Sequence, residues 1–439
     1  MEHYSPPASS ARADGDFTIR LAIHTSGERI PLLIDKATGV PHYDATAYSI
    51  GVLRSRNVAS ATIDQALRAI MVTEMYLVRN QINLEARMEN GQFLTVQEIS
   101  GLTSFYKRPL SEIRKEIVDT VGFVQRFPKV RSLEMARMNS KSLQQKAEIN
   151  ASSAGIRLHY SHNYLKWRVD RFLDQGPSHK HHQVVKAITE LRLQALAERA
   201  YRPKHRDTIG RREGLDKEEV KRLLDVIRPS SAVNPFKSPF VKARNQLLVH
   251  LLLRLGQRRG EILGLRCENF NFLRNQLLIE RRPDDPDDTR RDEPNTKTKD
   301  KIIQLHPTLA EAVHTYIIRM RAKIPGAEQN PFLLVAENSG APLSKAAVAK
   351  VFKTLRGVEG MPKELYPHLL RHTWNDEFSE TADAKKLSPE DEQKIRSDYM
   401  GWHPNSGTAL TYTKRYVRKR SNEIGLQLQE LLVKDDHEQ

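Results

Sequence analysis

Leu255-Gly256-Gln257-Arg258-Arg259-Gly260-Glu261-Ile262-Leu263-Gly264-Leu265-Arg266 is the stretch on which the reading of this chain turns. An apolar helical run ends at Gly256, where a left-handed cap suits a residue without a Cβ, and a second helix opens at once. Arg258 falls at the junction. Glu261 lies one turn on, placed to hold the guanidinium by charge and hydrogen bond. Arg259 competes for the same role, and the spacing from Gly256 to Glu261 favours Arg258.

Three further signatures follow in order. Thr296-Lys297-Thr298-Lys299-Asp300-Lys301-Ile302-Ile303 is a lysine-bearing turn leading into a strand, with Lys299 and Lys301 crowding Lys297. In His368-Leu369-Leu370-Arg371-His372 the i, i+3 spacing puts His368 and Arg371 on one helical face, with Leu369 and Leu370 toward a core. Last comes Met400-Gly401-Trp402-His403, with Tyr412 nine residues after His403. Trp402 competes with His403 as a hydrogen-bond donor, and Tyr416 competes with Tyr412.

Together these resemble the catalytic domain of the tyrosine recombinases, the phage-integrase superfamily that includes lambda integrase, Cre and the Xer proteins. The G-x-R-x-x-E box, hairpin lysine, H-x-x-R-H box, glycine–histidine box and terminal tyrosine all have counterparts over about residues 215–425. Each motif is weak alone; the ordered set is specific. The resemblance implies that Tyr412 attacks a DNA phosphodiester to form a 3′-phosphotyrosine, expelling a 5′-hydroxyl without metal, cofactor or ATP. A phenol with a pKa of about 10 needs cations and a proton acceptor around it to do this. Arg258 and Arg371 would grip the phosphorane oxygens, and Lys297 would protonate the leaving oxygen. His368 and His403 would steady the phosphate, with Glu261 and Trp402 in support. The 32 residues from Arg371 to His403 exceed the family's usual step, with acidic residues around 388–392. A second long acidic stretch spans 283–294. Both are expected to modulate DNA access or protomer contacts.

Outward from this region, the 439 residues carry 70 Lys+Arg against 54 Asp+Glu, a net charge of +16 that favours a polyanionic partner. Residues 101–214 hold 23 basic against 11 acidic side chains, so most of the excess sits there. Lys166, Arg168 and Arg171 on a helical pattern, and Arg202, Lys204 and Arg206 in a polar stretch, are the expected phosphate contacts. The expected fold is mainly α with a small antiparallel sheet in the catalytic domain, a two-domain clamp on DNA. Its parts are a disordered tail (1–16), a small β-containing segment (17–58), a helical core-binding domain (59–200), a linker (201–214), the catalytic domain (215–425) and a C-terminal tail (426–439). Capping-box patterns at Thr62/Gln65, Thr95/Glu98 and Asp216/Glu219 mark helix starts.

The one cysteine, Cys267, excludes an internal disulfide framework and a Cys-rich zinc site. No run approaches the roughly 18 apolar residues of a membrane span, and the start lacks the apolar core of a signal peptide. A cytoplasmic, nucleoid-associated protein is expected, with double-stranded DNA as partner. The family assembles as a homotetramer on DNA, leaving open a free monomer and accessory proteins. The tail residues Ile424, Leu426, Leu428, Leu431 and Leu432 dock either on their own domain or on a neighbour. Two alternatives stand beside recombination: DNA relaxation of the type IB topoisomerase kind, and a non-catalytic DNA-binding regulator on a degenerate recombinase fold.

Overall fold

The computed structural model describes residues 15–121, 148–174, 181–201, 214–294, 298–403, 417 and 420–430. Lys297, Tyr412, Tyr416, Arg202, Lys204 and Arg206 lie outside the described residues. The described chain is predominantly helical with two small antiparallel sheets, and divides into two compact units. One comprises residues 15–24 and 29–201, the other 25–28 and 214–430.

In the first unit, alternating apolar residues form β1 (Phe17–Ile23) and β2 (Arg29–Asp35), paired antiparallel with Phe17 opposite Asp35. Among the described residues seven α-helices follow: α1 (Tyr43–Tyr48), α2 (Ser60–Arg79), α3 (Leu84–Glu89), α4 (Val96–Tyr106), α5 (Leu110–Val121), α6 (Ala151–Leu173) and α7 (His182–Glu198). Phe17 and Leu33 share one hydrophobic core with Leu67 and Ile70 of α2, Leu165 of α6 and Leu193 of α7. The boundary expected near residue 58 therefore falls inside a single core. Thr95 and Glu98 form the expected capping box, each side chain bonded to the other's backbone N–H. Thr62 and Gln65 do not cap. Helix α2 starts at Ser60, with Ala59 in the cap position and no side-chain bond there.

The second unit opens on α8 (Lys217–Ile227), capped by the expected Asp216/Glu219 box. Next come α9 (Pro239–Leu255), α10 (Arg259–Leu263) and a three-stranded sheet of β3 (Phe270–Asn271), β4 (Gln276–Ile279) and β5 (Lys301–Gln304), in the order β3-β4-β5. Leu277 and Ile303 face each other across the antiparallel pair and are buried, while their neighbours Leu278 and Ile302 point to solvent. Then α11 (Pro307–Thr315), α12 (Lys345–Arg356), α13 (Pro367–Ala384) and α14 (Pro389–Met400) complete the unit. Residues 420–430 are helical, with Ile424, Leu426 and Leu428 exposed; Leu431 and Leu432 lie outside the described residues.

The two acidic stretches are structural. In the β4–β5 connection Arg290 is buried, ion-paired to Asp288, and donates to the carbonyls of Leu263 and Leu343 at 2.9 and 3.0 Å. Asp285, also buried, takes Arg266 at 2.6 Å. The stretch at 388–392 is the first turn of α14. Ser388 caps it, and Glu392 turns inward to pair with Arg396 and accept from Ser379 Oγ at 2.9 Å. Asp285, Asp288 and Glu392 are thus bound into the fold, while Asp287, Asp292, Glu390 and Asp391 remain exposed.

Candidate active site

Helix α9 stops at Gly256, whose φ of +62° is the left-handed cap anticipated from the sequence. A Cβ there would meet the Trp374 ring at 2.5 Å, so glycine is required by conformation and by space. The chain turns at once into α10, with Arg258 in its cap position. Glu261, with a side chain at 0% exposure, accepts the Arg258 backbone N–H at 2.7 Å and its Nη1 at 3.3 Å.

The same carboxylate gathers groups from elsewhere in the chain. Thr298 Oγ1 donates to Glu261 Oε1 at 2.9 Å, and Arg371 Nη1 stands 4.0 Å from Oε2. Arg371 was expected on one helical face with His368, with Leu369 and Leu370 turned toward the core. Instead it is 1% exposed, buried beside Leu369 and Leu370 on α13. Its Nη1 donates to the Gly256 carbonyl at 2.7 Å, an acceptor that the end of α9 leaves without a helical donor. Its guanidinium also lies 5.4 Å from the centre of the Trp402 ring. Two arginines more than a hundred residues apart in sequence thus converge on one buried carboxylate, which balances their charge and fixes their direction.

His368 stays at the surface on the first turn of α13, its ring 4.6 Å from that of His372. Burial lowers its pKa, and His372, Arg371 and Arg258 push it further down, to about 4. At neutral pH the imidazole is uncharged and able to accept a proton. Trp402 is buried against Met400, Trp374 and Tyr399, whereas His403 is exposed at the end of the same turn.

Lys301, one of the two lysines that crowd Lys297 in the sequence, enters this cluster. Lys301 is part-buried at the head of β5. Burial pushes its ammonium down, Arg371 and Arg258 add to that, and Glu261 opposes them; the result is about 8. Lysine 301 shares the inward face of β5 with Ile303 two residues on, and that period of two was the available signal.

Among the expected phosphate contacts, Arg168 needs correction. It is buried, with Nη1 3.2 Å from Glu74 and Nη2 2.5 Å from Glu85 and 3.3 Å from Asp44. A guanidinium held by three carboxylates inside a core does not reach DNA. Arg171, part-exposed, lies over the Trp167 ring and pairs with Asp44 at 2.6 Å. Lys166 is exposed and only 3.8 Å pairing to Asp170 restrains it.

The signature of the Phage integrase family matches residues 213–389, a span holding Arg258, Glu261, His368 and Arg371. Over these residues the chain is similar to that family. The integrase match ends before Trp402, His403 and Tyr412. The chain is 26% identical to tyrosine recombinase XerD of Corynebacterium glutamicum over 156 residues, 36% of this chain and 44% of that protein. It is 31% identical to tyrosine recombinase XerC of Agrobacterium fabrum over 138 residues, 31% of this chain and 38% of that one. The chain thus spans less than half the length of these two relatives. The XerH site-specific recombinase bound to palindromic difH substrate, a post-cleavage complex, superposes with a TM-score of 0.39 at 16% identity, over 78% of this chain and 94% of that one.

Proposed function

We propose that this protein is a site-specific DNA recombinase, the integrase of a mobile element, cleaving and rejoining strands through a 3′-phosphotyrosine at Tyr412. The observation that carries this reading is the convergence of Arg258 and Arg371 on buried Glu261, with neutral His368 beside them. Paired, permanently charged, planar donors suit a pentacoordinate phosphorane, whose equatorial oxygens gain negative charge. An uncharged imidazole next to them can accept a hydrogen bond from a reacting hydroxyl without adding positive charge. Lys297 is the proposed acid for the leaving hydroxyl, and His403 and Trp402 the proposed donors on the far side. Duplex DNA is the proposed partner, the basic stretch within 101–214 supplies nonspecific phosphate affinity, and a tetramer on DNA the working assembly.

The test is covalent capture. The full chain is incubated with a pool of nicked duplexes of randomised sequence, and protein–DNA adducts are isolated and sequenced. A recombinase yields adducts on a defined sequence, and Tyr412→Phe yields none. Two captured sites on separate duplexes then exchange strands; relaxation of supercoils without exchange would favour the topoisomerase reading. Adducts that persist in Tyr412→Phe would move the nucleophile, with Tyr416 next in line.

A further inference from the structure

Lys301 ties together two turns that are far apart in sequence. Its Nζ donates to Gln257 Oε1 at 2.7 Å, in the turn between α9 and α10, and to the Met400 carbonyl at 2.8 Å, at the end of α14. Gln257 is 0% exposed, and its Nε2 donates to the Leu255 carbonyl at 2.8 Å, so the amide is fixed at both ends. Met400 is also wholly buried, and its carbonyl is one of the acceptors a helix end leaves without an internal donor.

A backbone link runs alongside, from Lys299 N–H to the Gly401 carbonyl at 3.1 Å. Gly401 has φ of +64°, and a Cβ on it would lie 3.0 Å from the Lys299 carbonyl and 3.2 Å from the Lys301 side chain. The approach is that close. The next residue is Trp402, which packs against the Arg371 guanidinium, and His403 follows. A partly buried ammonium is expensive, and a strand of this kind would accept an aliphatic residue more readily. Here Gln257 directly precedes Arg258, and Met400 packs with Trp402, whose ring faces the Arg371 guanidinium.

We propose that Lys301 and Gln257 form a strut that fixes the Met400–His403 turn against the Arg258–Arg371 pair, making both positioning residues for the site. The strut itself stands on these contacts alone; its effect on DNA cleavage rests on the recombinase reading.

Full-length Lys301→Met, Gln257→Leu and the double variant decide it through two readouts. The first is hydrogen exchange at the Gly401 and Trp402 amides, which are bonded to the Asp398 and Ser397 carbonyls. The second is single-turnover adduct formation at saturating captured DNA, with DNA affinity measured separately. Lys301→Met is expected to speed exchange at these amides about tenfold and to slow adduct formation about 10- to 100-fold, with affinity little changed. The double variant, apolar at both positions, regains thermal stability but keeps both defects, because the Met400 carbonyl still lacks its donor. Should Lys301→Met not fold, Gln257→Leu, which leaves the Met400 bond in place, gives the same changes at smaller size. Wild-type exchange at Gly401 and Trp402 in the folded single variants, or recovery of cleavage in the double variant, overturns the strut. Absence of any adduct from the wild-type chain overturns the recombinase reading, while exchange still decides the strut.

Discussion

Glu261 is the residue on which the candidate site balances. Its buried carboxylate faces two guanidiniums, a threonine hydroxyl and a backbone N–H. Glu261→Gln keeps the shape and removes the negative charge that both guanidiniums face. Breaking a buried ion pair from one side costs about 3–5 kcal/mol, so urea unfolding of Glu261→Gln should show a loss in that range. A loss below about 1 kcal/mol would mean that solvent, not Glu261, balances the arginines. His368 carries a second expectation. Its folded-state pKa of about 4 lies below the ordinary 6.5, so the unfolded chain takes up the proton first. Stability is therefore full above about 6.5 and falls as pH drops toward 4. His368→Gln should flatten that fall in unfolding midpoints between pH 7 and 5, by a modest amount since the ring is exposed. Arg258 and Glu261 were legible because three residues on a helix start form a local geometry. Lys301 was not, since its partners Gln257 and Met400 lie 44 and 99 residues away and only the folded chain brings them near.

At the scale of elements, what was legible followed the same rule of distance. The left-handed end of α9 and the boxes at Thr95/Glu98 and Asp216/Glu219 are all written within a few residues. The box at Thr62/Gln65 misled because side chains in a helix's first turn resemble a cap when the true cap, Ala59, has no hydrogen-bonding side chain. The anchoring of the 283–294 connection lies beyond that distance, since Arg290 ties it to backbone carbonyls 27 and 53 residues away. The α9–α10 junction gives the sharpest element-level expectation. Gly256→Ala would place a methyl group in the Trp374 ring and force a β-carbon into a left-handed backbone. The conformational part alone costs about 1–2 kcal/mol, and overpacking adds about 1–3. Thermal unfolding should reveal a loss of at least the smaller figure. An unchanged midpoint would mean that α13 moves aside freely, and Arg371 with it.

For the whole molecule, the positive charge counted along the sequence divides into cations that hold the fold and cations available to a partner. The count alone made Lys166, Arg168 and Arg171 look alike. Their neighbours separate them, because a helix with both a buried and an exposed face places residues two apart in opposite surroundings. Arg168 faces inward, where it shares Glu74 with His42 and the Tyr164 hydroxyl. Burial pushes that carboxyl upward, but Arg168 and His42 more than offset this and hold it at about 2. Lys166 faces solvent. The two should therefore fail differently. Arg168→Ala should lower unfolding stability by about 3–5 kcal/mol by removing the cation that Glu74, Glu85 and Asp44 share, while the folded fraction keeps the wild-type salt dependence of DNA binding. Lys166→Ala should leave stability within about 0.5 kcal/mol and reduce the slope of log affinity against log salt by about 0.9, the release expected from one phosphate contact. Fluorescence anisotropy on a nonspecific duplex across a salt series, paired with urea unfolding of each variant, measures both. If the slope changes with Arg168 and not with Lys166, the inward guanidinium must leave its carboxylates to meet DNA, and the division of charge proposed here is reversed.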